Sequence, residues 1–229
     1  MVTVVRRPCA LPRPTYEPVR PPAPSTVIVL DWDDTLFPNS HLTRRNYPLE
    51  EGCFVLTQHD HLLLMKLIDL IAAFLASCIE ANRACIIITN GEAGWVEASC
   101  ARFMPSLLPL LSNIQIVSAR TAFEATYPVD EWKVACFTSE LAKIMGQKSH
   151  AQQHIISIGD SHYERVALQA FSCKMPLAKT KSVKFVHVPS MEDLIRQVKL
   201  IQTYLGHLCT HPGHLDLILS HDLLRDVAV

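Results

Sequence analysis

The apolar residues of this chain fall into short continuous runs that alternate with longer segments of helical periodicity. Five runs are predicted as strands: Thr26–Leu30, Ala84–Thr89, Ile114–Ser118, His154–Ile158 and Val183–Val188. Five segments are predicted as helices: Asp60–Asn82, Trp95–Phe103, Glu131–Met145, Tyr163–Phe171 and Met191–Tyr204. Strands that are apolar throughout are usually covered on both faces. The alternation therefore predicts an α/β fold, with a doubly wound, mainly parallel, five-stranded Rossmann-like sheet and helices on both faces.

The first 25 residues contain seven prolines, which sets them apart from the rest of the chain. Proline at that density cannot join a helix or a central strand, so we predict an extended or disordered lead over residues 1–25. A flexible tail is the simpler interpretation, and a protein partner that binds proline-rich segments is the alternative. The domain itself is predicted over residues 26–206. Residues 207–229 are predicted as a C-terminal tail with a solvated helix.

A turn-rich segment, residues 37–58, separates the first predicted strand from the first long helix. Its length is too short for an inserted cap domain and suits a hairpin flap over a site. Arg44, Arg45 and Tyr47 lie in this flap, and we hypothesise that they contact a substrate. A basic loop that is only solvated is an equal alternative.

Length, charge and cysteine content narrow the class of protein. The 229 residues suit one domain, and 49% apolar residues can fill a substantial core. A net charge of −1 gives no basic surface for nucleic acid. Eight cysteines without a CxxC pair favour free thiols and a reducing, cytoplasmic location. The most apolar stretch, Leu62–Ile79, contains Lys66 and Asp69 and is predicted as a buried helix, so no membrane association is expected.

Polar side chains follow the predicted strands at their carboxyl ends, where parallel sheets bind ligands. They are Asp31, Asp33, Asp34 and Thr35 after the first strand, Thr89, Asn90 and Gly91 at the second, and Gly159, Asp160, Ser161 and Glu164 after the fourth, with Lys133 opening the preceding helix. Each group alone is an ordinary turn or helix cap. Several carboxylates at one strand end are costly unless a cation or phosphoryl chemistry uses them. Their joint occurrence therefore predicts an active site.

This ordered set resembles the motifs of the haloacid dehalogenase-like superfamily of aspartyl-phosphate-forming hydrolases. The resemblance spans roughly Val27 to Val188 and follows four motifs in order: Asp31-Trp-Asp33-Asp-Thr35, Thr89, Lys133, and Gly159-Asp160 through Glu164. Lys143 and Lys148 also precede the fourth strand, but Lys133 opens a helix at a distance from Asp160 similar to the family's spacing. The fourth motif often ends in Asp, so Glu164 is a departure from the pattern.

The resemblance implies a Mg²⁺-dependent phosphatase that acts on a phosphorylated small molecule or protein. Asp31 would be the nucleophile, and Asp33 the general acid and base. Thr89, Asn90 and Lys133 would bind the phosphate. The cofactor Mg²⁺ would be bound by Asp31, Asp160 and the backbone carbonyl of Asp33, and Thr35 and Glu164 would support the site. The presence of Asp33 favours phosphate esters, since a halide leaves without being protonated.

Two other classes of function combine similar residues. A signalling receiver domain also carries an acidic pair, a hydroxyl and a lysine, but it places its phospho-acceptor Asp after a middle strand. The third predicted strand here ends in Ser118-Ala-Arg120, which has no carboxylate. A catalytically silent relative that serves as a binding or scaffold module is the second alternative.

Overall fold

The computed structural model describes residues 25–80, 83–145 and 153–229. The strands are β1 (Thr26–Leu30), β2 (Arg83–Thr89), β3 (Gln115–Ser118), β4 (His154–Gly159), β5 (Lys179–Lys184) and β6 (Leu215–Ile218). The α-helices are α1 (Asn39–Arg44), α2 (Gln58–Cys78), α3 (Trp95–Phe103), α4 (Leu108–Leu111), α5 (Ala119–Phe123), α6 (Trp132–Met145), α7 (His162–Lys174), α8 (Met191–Thr210) and α9 (His221–Arg225), with a 3₁₀ turn at Pro105–Leu107. The predicted proline-rich lead lies outside the described residues, except for Ser25.

The six strands form one parallel sheet in the order β3-β2-β1-β4-β5-β6. Leu30 at the end of β1 lies opposite Ile87 in β2 and Ile158 in β4, so the residues that follow these strands emerge at one edge. The order reverses between β1 and β4, and ligands of open α/β sheets bind at such a switch point. The predicted α/β class with a parallel sheet is confirmed, and the order agrees with a Rossmann-like sheet. The predicted number of five strands is wrong.

The central strand β1 is buried on both faces. Ile28 and Leu30 belong to one hydrophobic cluster, and Val27 and Val29 belong to another, because successive side chains of a strand point to opposite faces. Helices α2, α3, α4 and α8 contribute to the first cluster, and α5, α6 and α7 contribute to the second. The sheet is therefore covered by helices on both faces, as predicted from its continuous apolar strands.

Helix α2 is, among the described residues, the one helix long and apolar enough to cross a membrane. The core helix of a globular domain passes the same test, and Leu67, Ile71 and Leu75 of α2 are fully buried in the first cluster. The helix also packs against α8. This packing agrees with the prediction of a buried helix over this stretch. The helix ends at Cys78, whereas the predicted end, Asn82, lies outside the described residues.

Strand β5 begins four residues before the predicted run Val183–Val188. The strand contains the polar residues Thr180, Lys181 and Ser182, all of which are buried. The Nζ atom of Lys181 lies 2.7 Å from Nδ1 of His154 on the neighbouring strand. The hydrogen bonds of this strand depend on tertiary neighbours, so an apolar pattern could not locate it.

The C-terminal residues are part of the sheet, which corrects the predicted tail over 207–229. Helix α8 continues to Thr210, and β6 pairs with β5 in the register Lys181 to Leu215. Leu224 of α9 is buried. The predicted domain end at residue 206 therefore falls inside a helix. A four-residue strand is too short for periodicity to distinguish it from a helix or loop.

The segment between β1 and α2 forms the short helix α1 and a series of turns, so the predicted hairpin flap is wrong. Side chains of this segment are held by hydrogen bonds to Asp60, in the first turn of α2. The Asp60 carboxylate accepts hydrogen bonds from Tyr47 Oη at 2.7 Å, Thr57 Oγ1 at 2.8 Å, and His41 Nε2 and Arg45 Nε at 3.1 Å. Arg45 and Tyr47, two of the hypothesised substrate contacts, therefore form intramolecular hydrogen bonds with Asp60.

We expect Asp60→Asn to lower the free energy of unfolding by about 1.5–3 kcal/mol at pH 7, because an amide cannot accept from all of these donors. Burial acts to raise the pKa of Asp60, but hydrogen bonds from Tyr47, Thr57, His41 and Arg45 hold it below its ordinary value. The stabilisation is complete above the unfolded pKa of about 3.9 and is lost as the pH falls through the folded value. Urea unfolding at several pH values measures this effect. The difference from wild type should shrink below about pH 4, and Asp69→Asn, at an exposed position of the same helix, is the control.

Candidate functional site

The loop after β1 is anchored by Trp32, which is fully buried between two polar neighbours. Its indole Nε1 donates to Ser99 Oγ at 2.9 Å, and its ring stacks on Phe37 with the centroids 5.9 Å apart. Its carbonyl accepts from the backbone N–H groups of Leu36 and Phe37, both at 2.9 Å. Because side chains alternate along an extended backbone, burial of Trp32 leaves the flanking Asp31 and Asp33 at the edge of the sheet.

Two further residues of the first motif support this loop. Asp34 has a positive φ of 55°, which Asp tolerates better than most residues. Its carboxylate accepts from the backbone N–H of Ser40 at 2.7 Å and also from the Ser40 hydroxyl, which fixes the first turn of α1. Thr35 is fully buried, and its N–H donates to the carbonyl of Trp32 at 3.3 Å. Thr35 therefore supports the turn and does not line the cavity described below.

Three acidic side chains meet at the carboxyl edge of the sheet. Asp31 follows β1, Asp160 follows β4, and Glu164 lies in the first turn of α7. Each is buried, and one carboxylate oxygen from each lies within 4.8 Å of the others. We call these three residues the acidic cluster. The predicted convergence of the segments near positions 31 and 160 is thus present in the structure.

Lys133 reaches the acidic cluster from the first turn of α6 and is only 2% exposed. Its Nζ donates to Asp31 Oδ1 at 2.6 Å and to Glu164 Oε1. The spacing in the sequence favours this lysine over Lys143 and Lys148. Lys143 is instead paired with Glu140 on the same helix, and Lys148 lies outside the described residues. The tertiary structure therefore brings Lys133, the third predicted motif, into contact with Asp31 of the first motif.

Glu164 is held by both of its oxygens. Oε1 accepts from Lys133, and Oε2 accepts from the backbone N–H of Ser161 at 3.1 Å and from its hydroxyl at 2.7 Å. This is a capping box at the start of α7. A Cβ atom at Gly159 would lie 2.4 Å from Glu164 Cγ, so glycine is required there for the close approach. These contacts suit Glu164 to holding Lys133 in place.

Thr89 and Asn90 lie at the end of β2 and line a cavity of about 160 Å³ together with the acidic cluster and Lys133. Thr89 is buried, and its Oγ1 accepts from the backbone N–H of Gly91 at 2.9 Å. The Oδ1 atom of Asn90 is buried and has no hydrogen-bond partner among the described residues. Buried polar atoms without a partner are rare and are often found where a ligand binds.

Asp33 faces the same cavity and is bound by a residue that the sequence did not single out. The indole Nε1 of Trp95 donates to both carboxylate oxygens of Asp33, at 3.0 and 3.1 Å. The pKa of Asp33 is raised to about 6, because burial outweighs the opposing hydrogen bond from Trp95 and the charge of Asp34 adds to the effect of burial. Trp95 opens α3 directly after Gly94, and nothing in its local sequence distinguishes it from a core aromatic residue.

The electrostatics of the acidic cluster favour a bound cation. Burial raises the pKa of Asp31, with Lys133 acting in the opposite direction. Burial likewise raises the pKa of Asp160. Burial opposes the charge of Lys133, but Asp31 and Glu164 raise its pKa above the usual value, and Lys133 in turn lowers the pKa of Glu164 despite burial. The acidic cluster thus has three buried carboxylates and one ammonium, which contacts Asp31 and Glu164, and a hard cation with oxygen ligands would balance the excess charge.

His187 is a second residue that the sequence prediction missed. It follows β5, and its Nδ1 lies 2.9 Å from Oδ2 of Asp160. The next residue, Val188, has a φ of 53°, which a β-branched side chain adopts at a cost of order 1–3 kcal/mol. Arg44 donates to the carbonyls of Val188 and Pro189. The third hypothesised substrate contact, Arg44, is therefore also an internal contact.

A larger groove of about 1270 Å³ adjoins the small cavity, and Asp33 and Asn90 line both. One wall is formed by Leu49, Glu50, Glu51 and Phe54, and α3 with the preceding loop forms the other. Arg102 lies on the α3 wall, where its guanidinium sits 4.8 Å above the Phe54 ring. The groove therefore leads from the acidic end of β1 to the surface.

No family model, curated protein or solved structure matches this chain. Function is therefore inferred from the chemistry and geometry of the site.

Proposed function

We propose that this protein is a Mg²⁺-dependent phosphatase of the haloacid dehalogenase-like type, with Asp31 as the nucleophile. The observation that carries the proposal is the meeting of Asp31, Asp160 and Lys133 in one small buried cavity at the switch point of a parallel sheet. These residues come from three separate elements. A helix cap at a single strand end would not require them to converge.

The cavity suits a phosphoryl group in size and in polar lining. Asp31 would attack the phosphorus atom and form an acyl phosphate, which water then hydrolyses. Lys133 would balance charge on the phosphoryl oxygens, and Thr89 and Asn90 would orient them. Glu164 would hold Lys133 in position, because it binds the ammonium and is itself fixed by the capping box of α7.

Asp33 is suited to donate and accept the proton of the leaving group. Its pKa of about 6 allows both protonation states near neutral pH, as a general acid and base requires. Asp33 also lines the larger groove. An alkoxide protonated by Asp33 would therefore leave into this groove, which gives the leaving group its binding site.

The donor set of the site fits Mg²⁺. Asp31 and Asp160 supply buried carboxylate oxygens, and the backbone carbonyl of Asp33 is the third ligand that the family resemblance implies. When bound, Mg²⁺ would reduce the repulsion between an anionic nucleophile and an anionic substrate. The oxygen ligands alone are equally compatible with other hard divalent cations, so the choice of Mg²⁺ rests on the resemblance.

A receiver domain is disfavoured by the topology. Receiver domains have the flavodoxin-like strand order 2-1-3-4-5. Here the order is 3-2-1-4-5-6, and the candidate nucleophile follows the first strand. The alternative hypothesis, a catalytically silent binding module, is distinguished from a phosphatase by the following assay.

The proposal is tested by measuring phosphate release from p-nitrophenyl phosphate and a panel of natural phosphate monoesters, with Mg²⁺ and with a chelator. We expect turnover that requires the divalent cation. Binding of beryllium fluoride without turnover of any ester would identify a silent module instead. Asp69→Asn, at an exposed position of α2, is the charge-matched control for substitution of the proposed nucleophile by Asn, and it should retain full activity.

Replacing Asp33 with Asn should separate phosphoryl transfer from proton transfer. We expect kcat to fall by about 10²–10⁴-fold for alkyl phosphates, because their alkoxide must be protonated as it leaves. The loss should be smaller for p-nitrophenyl phosphate in the step that forms the acyl phosphate, since p-nitrophenolate leaves without a proton. Rapid-quench measurement of p-nitrophenol release follows this step alone. Equal losses for both ester types would contradict the role of Asp33 as the acid.

A further inference from the structure

His187 contacts the acidic cluster from outside the four motifs. Its side chain is 70% exposed, whereas that of Asp160 is 9% exposed. The imidazole Nδ1 donates to Asp160 Oδ2 over 2.9 Å. This bond restricts rotation of a carboxylate whose oxygen lies within 4.8 Å of those of Asp31 and Glu164.

The backbone around His187 is held in a strained conformation by α1. Arg44 Nη1 donates to the carbonyl of Val188 at 3.3 Å, and Nη2 donates to the carbonyl of Pro189 at 2.7 Å. His41, on the same short helix, accepts from the backbone N–H of Met191 through Nδ1 at 3.1 Å. A positive φ at a β-branched residue such as Val188 persists only where neighbouring contacts impose it. These contacts place His187 against Asp160.

We propose that His187 is a positioning residue for the metal ligand Asp160, and that Arg44 acts through it by fixing the loop after β5. The inference rests on the proposed function, because it assigns Asp160 to the metal. Hydrogen bonds to a metal-binding carboxylate fix its orientation, and their loss commonly weakens metal binding by about 10–100-fold. His187 does not touch the reacting atoms in this scheme, so its effect should fall on metal affinity more than on kcat at saturating metal.

An exposed histidine–carboxylate pair offers a matched control. His59 on α2 is also 70% exposed, and its Nε2 lies 3.3 Å from the carboxylate of Glu192. This pair also joins an exposed imidazole to a carboxylate, with Glu192 31% exposed where Asp160 is 9% exposed, and it lies outside the site. Surface pairs of this kind contribute little by themselves. His59→Ala should therefore leave metal binding unchanged.

Isothermal titration of the metal-free protein with Mg²⁺ is the direct test, because it does not depend on turnover. We expect His187→Ala to bind Mg²⁺ about 10–100-fold more weakly than wild type. His187→Asn should recover part of this loss, because its amide N–H₂ group can donate to Asp160. A merely structural role would lower the melting temperature of the metal-free protein and would not be rescued selectively by Asn.

Arg44→Ala tests the second half of the proposal. It should weaken Mg²⁺ binding in the wild-type background but add little in the His187→Ala background, because both substitutions interrupt one chain of contacts. If wild type binds Mg²⁺ and His187→Ala binds it equally well, the positioning role is overturned while the proposed function stands. If the wild-type protein binds no Mg²⁺, the proposed function fails together with this inference.

Discussion

Asp31→Asn is expected to abolish phosphate release, with a loss in kcat of about 10⁴-fold or more, because the amide cannot form the acyl phosphate. Its fold should remain intact. Burial raises the pKa of Asp31, so ionising this group at neutral pH opposes folding. When the pKa of a carboxyl group is raised on folding, the free energy of unfolding of the protein falls as the pH rises from the pKa of the unfolded state to that of the folded state. At pH 7 without divalent cations, the Asn variant should therefore be at least as stable as wild type.

Two measurements separate these effects. Turnover of p-nitrophenyl phosphate at saturating Mg²⁺ reports the chemistry, and urea unfolding with a chelator reports the stability. Loss of activity with unchanged or increased stability is the expected pair of results. A variant that retains turnover near the wild-type rate would show that Asp31 is not the nucleophile. A variant that is less stable would mean that the Lys133–Asp31 ion pair outweighs the crowding of three carboxylates.

Lys133→Met is expected to lower the free energy of unfolding of the metal-free protein by about 3–5 kcal/mol, since it leaves buried carboxylates without their cation. Asp31 and Glu164 both bind Lys133, so neither retains its ion-pair partner. Activity should fall as well, because the phosphoryl oxygens lose a positive charge. Saturating Mg²⁺ should restore part of the lost stability, as ligand binding to the folded state does.

Lys143→Met is the matched control for this substitution. Lys143 lies on the same helix and pairs with Glu140 at 2.6 Å, but its side chain is 66% exposed. Exposed pairs contribute about 0–1 kcal/mol. Urea unfolding of both variants compares a buried ion pair with a solvated one on a common background. Equal effects would contradict the assignment of Lys133 to the buried centre of the site.

Several strands and helices could be predicted from the local pattern of apolar and polar residues. The run Thr26–Leu30 was predicted with its correct ends, because it is apolar on both faces and is followed at once by charged residues. Trp95–Phe103 was also correct in its bounds. The candidate site residues lie at or just beyond the ends of strands or in the first turns of helices, and parallel topology brings those positions to one edge.

Other elements were not accessible. Strand β5 contains Lys181, which is fully buried beside His154, and polarity of this kind is compatible with a strand only when the partner is known. Strand β6 is four residues long and gains its stability from pairing with β5. The roles of Trp95 and His187 depend on contacts with Asp33 and Asp160, which are 62 and 27 residues away along the chain.

The amino-acid sequence alone determined the alternation of strands and helices and the order of acid, hydroxyl, lysine and acid along the chain, because both are local properties. Only the tertiary structure decided that Glu164 holds Lys133, that Asp34 fixes α1, and that Arg44 supports the loop of His187. These assignments depend on which of several nearby donors a carboxylate or carbonyl meets. The packing of segments distant in sequence decides which donor is met, and the spacing of residues along the chain does not predict that packing.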